Sequence, residues 1–271
     1  MWLRGRCRSS QVHLSELAFI MRVALSVTYL LLVTAVEAQE KPSSNRPTIV
    51  CASPLLIVPG KESRLLLRGA MLDEATEFKL AGGNVKVEIA SKGKTPVPQN
   101  YDAKRVGDSQ AELKFMLPPD APASSGKTSL IAVSSAGKGP AYEIEVLSAE
   151  DLIEEKEPND SFKAAQSAAV GKTISGVIGD ARNVDVYRIE LSAGDKLRIE
   201  SIAARVGSLL DPTLTLYDGQ GRTVSSNDDH AGSRDSRIEA TIQKPGSYFV
   251  TVQDANDAGG PHFAYLLRIT R

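Results

Sequence analysis

The sequence predicts an all-β protein made of two consecutive β-sandwich domains. Short segments in which apolar and polar residues alternate recur along residues 48–271, and this alternation is typical of strands with one buried and one solvated face. Glycine and proline clusters such as Pro59-Gly60 and Pro118-Pro119 separate these segments. The chain has 271 residues, 42% of them hydrophobic, which is enough to build two ordinary domain cores.

The N-terminal part of the chain, residues 1–38, is interpreted as a signal peptide. Residues 23–36 form an apolar run of fourteen residues after Arg22, too short to cross a bilayer as a helix but the right size for a secretory hydrophobic region. Val36-Glu37-Ala38 places small residues at both cleavage-determining positions, so we expect the mature chain to start at Gln39. A buried helix is the alternative. The interpretation predicts a secreted, periplasmic or cell-surface protein with no membrane span in the mature chain.

The position of the start codon and the cysteine content both bear on the signal-peptide prediction. Met21 also begins a conventional signal peptide, in which case residues 1–20 are an upstream translation artefact. Cleavage would remove Cys7 and leave Cys51 alone, so no disulfide framework is predicted. A lipid anchor at Cys51 is an alternative, but the residues before it lack the small side chain that such processing favours. A buried strand cysteine is therefore the preferred interpretation.

The first predicted domain spans residues 48–147 and follows a flexible, polar lead-in at residues 39–47. Val85, Val87 and Ile89 alternate with charged residues, as in a half-buried strand, and a turn is expected at Gly82-Gly83. The predicted strands cover residues 55–58, 64–68, 77–80, 85–89, 111–117, 128–133 and 142–147.

Three segments of this domain resemble a known family. They are Pro54 to Gly60, Leu65-Leu66-Leu67-Arg68-Gly69-Ala70 and Tyr142-Glu143-Ile144-Glu145-Val146. Their order is similar to that of the immunoglobulin-like IPT/TIG domains of secreted bacterial proteins. The resemblance implies an immunoglobulin-like sandwich.

The second predicted domain spans residues 157–271 and follows a linker at residues 148–156. Residues 161–169 are alanine-rich, and we expect a short helix there, capped by Asp160 or Ser161. Strands are predicted at residues 172–178, 184–191, 195–203, 212–217, 236–242, 247–253 and 262–270. Their inward-facing residues follow a period of two and comprise Tyr187, Ile189, Leu191, Leu197, Ile199, Leu214, Leu216, Ile238, Ala240, Ile242, Tyr248, Val250, Val252, Phe263, Tyr265, Leu267 and Ile269.

The junction between the two domains carries an acidic motif, residues 154–160. Glu155, Glu157, Asn159 and Asp160 place hard oxygen donors close together on a backbone that we expect Pro158 to keep extended. In an extended segment the first three side chains share a face and Asp160 points to the other side. The motif is a plausible half-site for calcium. The alternative is a solvated acidic linker, which is the more common role of a charge run.

The acidic motif opens an ordered series of short segments through the C-terminal half. The series comprises Glu155-Lys156-Glu157-Pro158-Asn159-Asp160-Ser161, Gly176-Val177-Ile178, Asp185-Val186-Tyr187, Ala193-Gly194-Asp195, Asp211-Pro212-Thr213-Leu214, Asn227-Asp228-Asp229, Asp235-Ser236-Arg237 and Pro245-Gly246-Ser247-Tyr248. It resembles the bacterial pre-peptidase C-terminal domain, a β-sandwich module appended to many secreted peptidases and collagenases, and the resemblance implies a jelly-roll-like sandwich. In calcium-binding members the acidic motif supplies ligands together with an aspartate at the start of a following strand. The resemblance therefore implies a calcium site whose ligands are Glu155, Glu157, Asn159, Asp160 and Asp185, with Asp180 as a weaker candidate.

A second oxygen-rich segment contains Asp228, Asp229 and Asp235. Its spacing loosely resembles calcium loops but lacks the ordered ligand pattern of an EF-hand. The favoured interpretation is a structural loop held by Asp and Asn side chains that bond to backbone amides, and a cation site is the alternative.

The composition argues against catalysis and against nucleic-acid binding. The net charge of −1 offers no basic surface for nucleic acid. Neither His230 nor His262 has the ordered partners of a catalytic triad or the ligand spacing of a zinc site. An unrecognised hydrolase that depends on His230 is the least favoured alternative.

Two aromatic residues of the second domain are out of phase with the inward-facing residues of their strands. Tyr217 and Phe249 are expected either to pack in sheet-face pairs or to form an exposed contact platform. The sequence as a whole predicts a secreted, non-catalytic accessory or binding protein whose calcium-stabilised β-sandwich contacts an extracellular polymer, a cell surface or a partner protein. The alternative is an accessory or processing module that acts with a separately encoded exported peptidase.

Overall fold

The computed structural model describes residues 45–81, 85–119 and 126–271. The predicted signal peptide, residues 39–44 of the lead-in and the Gly82-Gly83 turn lie outside these residues. Within them strands dominate and helices are single short turns, which confirms the all-β prediction. The strands form two pairs of sheets, one pair in each half of the described chain.

The first sandwich contains two sheets, with strand orders β1-β3-β6-β5 and β2-β9-β7-β4, and β8 also pairs with β7. A 3₁₀ turn (Leu72–Glu74) and a four-residue helix, α1 (Ala103–Val106), connect its strands. The strands are β1 (Thr48–Ser53), β2 (Leu56–Ile57), β3 (Glu62–Ala70), β4 (Glu77–Leu80), β5 (Glu88–Lys94), β6 (Ser109–Met116), β7 (Lys127–Ser134), β8 (Gly137–Lys138) and β9 (Tyr142–Val146).

Alternation along β3 and β6 explains the core of this sandwich. Leu65 lies opposite Leu113 and Leu67 lies opposite Ala111 in the antiparallel register, and all four are fully buried. Side chains of alternate residues share a sheet face, so one face is apolar and packs on the other sheet.

The second sandwich contains two five-stranded sheets, with strand orders β10-β12-β19-β14-β17 and β11-β13-β18-β15-β16. A 3₁₀ turn (Ala204–Val206) follows β14. The strands are β10 (Leu152–Glu154), β11 (Gln166–Ser167), β12 (Thr173–Val177), β13 (Val184–Leu191), β14 (Lys196–Ile202), β15 (Pro212–Tyr217), β16 (Thr223–Asn227), β17 (Arg237–Thr241), β18 (Gly246–Asp254) and β19 (Ala264–Thr270). Every inward-facing residue predicted from the sequence is buried except Ala240, which is half-buried.

Two local predictions at the junction are wrong. The segment predicted as a helix, residues 161–169, is a turn followed by β11, which pairs in parallel with β13. The segment predicted as a linker, residues 148–156, contains β10, which pairs in parallel with β12. The Gln166 side chain joins β11 to the end of β10, because it accepts a hydrogen bond from Lys156 N at 2.8 Å and donates one to Glu154 O at 2.9 Å. A short alanine-rich segment has little helical stability of its own, so strand pairing forms here instead of a helix.

The two sandwiches meet at an apolar seam. Leu55, Leu56 and Val58 of the first sandwich pack in one buried cluster with Ile202, Ala264 and Leu266 of the second. Hydrogen bonds cross the same seam, since the Tyr142 hydroxyl donates to Val206 O at 2.9 Å and the Tyr101 hydroxyl donates to Leu209 O at 2.8 Å.

A glycine allows the backbones to approach closely at the seam. Gly207 has a φ of 88°, and a Cβ at this position would clash with the carbonyl oxygen of Val50. The position therefore requires glycine both for its backbone angle and for space.

Candidate cation site

The acidic motif is held between the two sheets of the second sandwich by backbone hydrogen bonds. Just after β10, Glu155 N donates to Ser175 O at 3.0 Å, and further along Val186 N donates to Asn159 O at 2.9 Å. The chain bends at Glu157, so the backbone is not uniformly extended as the sequence predicted. The motif thus runs from the β12 side of the sandwich to the start of β13.

Three carboxylates converge at this point. Glu155, Glu157 and Asp185 each place one carboxylate oxygen within 4.8 Å of the others. Asp185 lies on the inward face of β13 opposite Val252 and is fully buried, whereas Glu155 is half-buried and Glu157 is exposed. The structure therefore gathers three of the five ligands that the family resemblance implied, with the cluster open to solvent on the Glu157 side.

Hydrogen bonds orient the two glutamates. Glu155 accepts one from Val177 N at 2.8 Å and one from Asn159 Nδ2 at 3.3 Å. Glu157 accepts one from Asn159 N at 2.9 Å and one from Asn183 Nδ2 at 3.4 Å. Asn159 is thus the residue that links the two carboxylates.

Asp185 is held by a chain of two buried tyrosines. The Tyr265 hydroxyl donates to Asp185 Oδ2 at 2.5 Å, and the Tyr187 and Tyr265 hydroxyl oxygens are 2.6 Å apart. The Tyr265 ring crosses Gly176 of β12, where a Cβ would lie only 2.5 Å from the Tyr265 hydroxyl oxygen. Burial raises the pKa of Asp185 to about 9, and the neighbouring Glu155 carboxylate acts in the same direction.

Several buried oxygens at this site have no hydrogen-bond partner. They are Asn159 Oδ1, Asp185 Oδ1 and Asn183 Oδ1. Asn159 and Asp185 are both 0% exposed, so solvent on the outer surface does not satisfy these atoms. Among the described residues, no Lys or Arg forms an ion pair with any of the three carboxylates. Clustered carboxylates and unpartnered carbonyl oxygens are the hard donors that a divalent cation such as calcium prefers, so the residues fit such an ion.

Two other predicted ligands of the first site lie outside the cluster. Asp160 and Asp180 are both exposed, and neither contributes an atom to the converging carboxylates. Asp180 instead uses its backbone carbonyl, which accepts a hydrogen bond from Asn183 N at 3.2 Å. Asp180 is thus linked to the site only through the Asn183 backbone.

The second oxygen-rich segment is arranged as a structural loop. Asp235 is buried and accepts hydrogen bonds from Ala203 N at 2.9 Å and Ala204 N at 2.7 Å, which caps the 3₁₀ turn. Asp228 and Asp229 are exposed, and within the described residues they do not converge with Asp235 as a three-residue cluster. These contacts favour the structural interpretation over the cation site.

The residues considered for catalysis are separated or buried. Cys51 is fully buried, which raises its pKa to about 12, and its sulfur lies 3.8 Å from the carbonyl oxygen of His262. Burial and the nearby Arg68 guanidinium lower the pKa of His262 to about 4. His230 is exposed, and its ring contacts Arg237. Neither imidazole contacts a nucleophilic side chain among the described residues, and the buried cysteine is held as a thiol.

The predicted aromatic platform is covered by another aromatic side chain. The ring of Phe162 stacks on Phe249 with centroids 4.6 Å apart and meets Tyr217 edge-on at 5.2 Å. Phe162 is itself 40% exposed. The three rings therefore form a small surface cluster in which Phe162 shields the two strand residues.

Sequence reasoning missed Asn183 and the role of Tyr265. Tyr265 was assigned to the core, which is correct, but its hydroxyl reaches a carboxylate 80 positions away in the chain. Asn183 lies two residues before Asp185, and residues with this spacing share a strand face. That spacing was the one available signal for Asn183.

The fold and the oxygen cluster define a two-sandwich β protein with a candidate cation site at the start of its second sandwich. Residues 183–254, within the second sandwich, match the family model of the bacterial pre-peptidase C-terminal domain. The match includes Asp185 and lies wholly after the acidic motif. The resemblance predicted for this half of the chain is confirmed over the matched residues. No curated protein matches the chain.

Solved structures with similar folds come from bacterial proteins. The pre-peptidase C-terminal domain of the Bacillus anthracis collagenase is 19% identical, with 42% of this chain and 99% of that chain covered and a TM-score of 0.31. SGBP-B of the Bacteroides ovatus mixed-linkage glucan utilization locus, in complex with a heptasaccharide, is 10% identical over 74% of this chain and 72% of that chain, with a TM-score of 0.25.

A third similar structure is PliG from Aeromonas hydrophila, a periplasmic inhibitor of g-type lysozyme. It is 15% identical over 44% of this chain and 95% of that chain, with a TM-score of 0.27. Separately, none of the helices in the described part of the chain has the length and apolar character needed to span a membrane.

Proposed function

We propose that this chain is an exported, non-catalytic binding protein whose second sandwich is stabilised by a calcium ion. The ion would be held by Glu155, Glu157 and Asp185, with the side-chain carbonyl of Asn159 as a further ligand. The observation that supports this most strongly is the convergence of three carboxylates within 4.8 Å beside buried oxygens that have no partner.

Electrostatics favours a bound cation at this position. Carboxylates this close repel one another when ionised, and the raised pKa of Asp185 reflects its burial first and the neighbouring Glu155 carboxylate second. A divalent cation would reverse the balance, because it neutralises the cluster and supplies the missing partner for the unsatisfied oxygens. Calcium suits an irregular set of oxygen ligands completed by water, whereas magnesium requires near-octahedral geometry.

The proposed role of the ion is structural. Glu155 and Glu157 belong to the acidic motif and Asp185 belongs to β13, so an ion shared by them would pin the motif to the second sandwich. The apolar seam then joins that sandwich to the first one. A stable two-sandwich body of this kind is suited to recognising an extracellular polymer, a cell surface or a partner protein.

A second candidate function is supported by the family match. The matched family is described as a pre-peptidase C-terminal domain, and the described residues of this chain do not assemble a catalytic arrangement. The protein would then act in trans with a separately encoded exported peptidase. Co-purification of the mature chain with a peptidase from its own source would favour this candidate over polymer or surface binding.

Thermal melting with and without calcium tests the leading proposal. A ligand present at 100 times its Kd adds about 2.7 kcal/mol, which for a chain of this size raises Tm by roughly 5–10 °C. We expect wild-type protein to show such a rise over the chelator-treated sample. Asp185→Asn should abolish the rise while leaving the chelated protein no less stable, because the raised pKa keeps Asp185 uncharged without the ion and a neutral amide then replaces a neutral carboxyl.

Two exposed aspartates provide matched controls for this experiment. Asp160→Asn and Asp180→Asn remove a nearby carboxylate that lies outside the cluster, so both variants should keep the full calcium response. A wild-type Tm that is the same in calcium and in excess chelator would reject the proposal.

A further inference from the structure

Two clefts flank the seam between the sandwiches, and both are lined in part by Val50 and Gly207. The larger, which we call the arginine cleft, has a volume of about 580 Å³. The smaller, which we call the opposite cleft, has a volume of about 370 Å³. Both volumes fall in the range of small-molecule sites, ~300–1,000 Å³, and junctions between domains are common places for such sites.

The walls of the arginine cleft come from both sandwiches. Tyr101 and Arg105 belong to the segment around α1 in the first sandwich, and Arg234 and Asn256 belong to loops of the second. The cleft therefore exists only when the two sandwiches are docked. The Tyr101 hydroxyl bond to Leu209 O fixes its shape from within.

The charges in the two clefts differ. In the opposite cleft the cations are neutralised, since Lys127 Nζ lies 3.2 Å from Glu143 and Arg205 Nη1 lies 2.8 Å from Glu200. In the arginine cleft, Arg105 is exposed and forms no ion pair with any described residue.

Arg234 is only weakly neutralised. Its Nη1 is 3.6 Å from Asp211 Oδ2, which is longer than a hydrogen bond. Asp102 also lines this cleft, but one of its carboxylate oxygens accepts the Lys104 N–H that caps α1. The arginine cleft thus presents one guanidinium group without an ion pair among the described residues, that of Arg105, and one in a long, exposed ion pair, that of Arg234.

The remaining polar lining suits hydroxyl groups. Gln99, Asn100 and Asn256 have exposed side-chain amides, and none of these amides bonds to another described residue. An amide offers both a donor and an acceptor, as a sugar hydroxyl does. Tyr101 adds a ring whose orientation is fixed by its edge-on contact with Phe263, with centroids 6.4 Å apart.

We propose that the arginine cleft binds an acidic oligosaccharide, with Arg105 and Arg234 pairing with its carboxylates and the amides bonding to its hydroxyls. Arginine forms charge-assisted, bidentate hydrogen bonds with carboxylates, which gives both affinity and orientation. The proposal rests on the proposed binding function and specifies the chemical class of the polymer. An acidic peptide is disfavoured because Val50 of β1 is the one lining residue that belongs to a strand, and the Gly207 backbone lies against its carbonyl, so the cleft offers no free strand edge for peptide pairing.

Calorimetric titration of the calcium-saturated protein tests this inference. The probe is a hyaluronan tetrasaccharide, which carries carboxylates, and the neutral comparison is chitotetraose. We expect binding of the hyaluronan tetrasaccharide to be at least about tenfold tighter than that of chitotetraose, and Arg105→Ala and Arg234→Ala each to weaken it about tenfold or more. Lys127→Ala in the opposite cleft is the matched control and should leave the affinity unchanged.

Three outcomes would overturn the inference. They are equal affinity for chitotetraose, an affinity unchanged in both arginine variants, and tighter binding of a tetraglutamate peptide than of the hyaluronan tetrasaccharide. The calcium-dependent rise in Tm is measured on the same samples. If that rise persists while the tetrasaccharide fails to bind, the cleft assignment falls and the calcium proposal stands. If the tetrasaccharide binds while the rise is absent, the calcium proposal falls and the cleft assignment stands.

Discussion

Asp185 at the candidate site and His262 at the seam are both buried, with shifted pKa values and with side-chain atoms that have no hydrogen-bond partner. Asp185 has a raised pKa and one unpartnered oxygen, and its other oxygen is bound by Tyr265. At the seam, His262 is buried with both ring nitrogens unpartnered. Such groups cost free energy unless a ligand or a change of protonation satisfies them. For Asp185 we propose that a bound cation is the missing partner. For His262 the structure predicts that folding stability depends on pH.

The burial of His262 should make folding stability fall in mild acid. The folded protein keeps this imidazole neutral down to about pH 4, whereas in the unfolded chain it protonates near its ordinary pKa of 6.5. Between these pH values the unfolded state binds one more proton at His262 than the folded state does. The contribution of neutral His262 to folding stability is therefore complete above pH 6.5 and is lost as the pH falls through 4. Urea unfolding of His262→Gln across this range should show a flatter dependence on pH than wild type.

The exposed histidine serves as the control for this measurement. His230→Gln should keep the wild-type dependence on pH, because His230 is exposed. An identical slope in wild type and His262→Gln would contradict the prediction.

At the scale of elements, the second sandwich is the part of the fold that the sequence predicted best. Its long strands have period-two patterns that follow directly from burial on one face. The strands that were missed, β1, β8, β10, β11 and β16, are short or lack this alternation. β16 reads Thr-Val-Ser-Ser-Asn, and its strand conformation comes from pairing with β15 rather than from its own residues.

The candidate site was predictable in part for the same reason. Glu155, Glu157 and Asp185 were expected together because of a family resemblance, and the structure brings them together. Local spacing predicted that Asp160 lies on the other face from the glutamates, but it could not show that Tyr265 reaches Asp185, because that contact depends on how β13 and β19 are placed in three dimensions. Long-range contacts of this kind are set by packing rather than by sequence periodicity.

The contact between β12 and β19 gives a prediction at this scale. Gly176→Ala should destabilise the second sandwich by about 1–3 kcal/mol, since the added methyl group would lie against the Tyr265 ring that supports Asp185. Gly179→Ala is the control, because a Cβ there meets nothing within 4 Å. Chemical unfolding of both variants measures the difference, and equal stabilities would show that the Tyr265 contact is not tight.

At the scale of the whole molecule, the seam joins the two sandwiches into one body. Apolar side chains from both halves share a buried cluster, Tyr101 and Tyr142 donate hydrogen bonds across it, and Arg268 of β19 forms an ion pair with Glu145 of β9. Interfaces that are apolar and well packed suppress relative domain motion. We therefore expect the two sandwiches to unfold in a single cooperative transition.

Gly207 offers a way to test this coupling. Gly207→Ala would introduce a clash with the Val50 carbonyl, so calorimetry should show the transition broaden or split into two. Gly194→Ala is a closely matched control, because Gly194 has the same φ of 88° but a Cβ there meets nothing within 4 Å. If both variants melt alike, the change reflects backbone strain alone and the seam does not couple the sandwiches.

Calorimetric titration of chelator-stripped protein with calcium chloride tests the central claim most directly. The account predicts one calcium ion bound per chain in wild type and in Asp160→Asn, and no binding in Asp185→Asn. Absence of binding in wild type, or binding of equal affinity in Asp185→Asn, would contradict the claim that these converging carboxylates hold a cation.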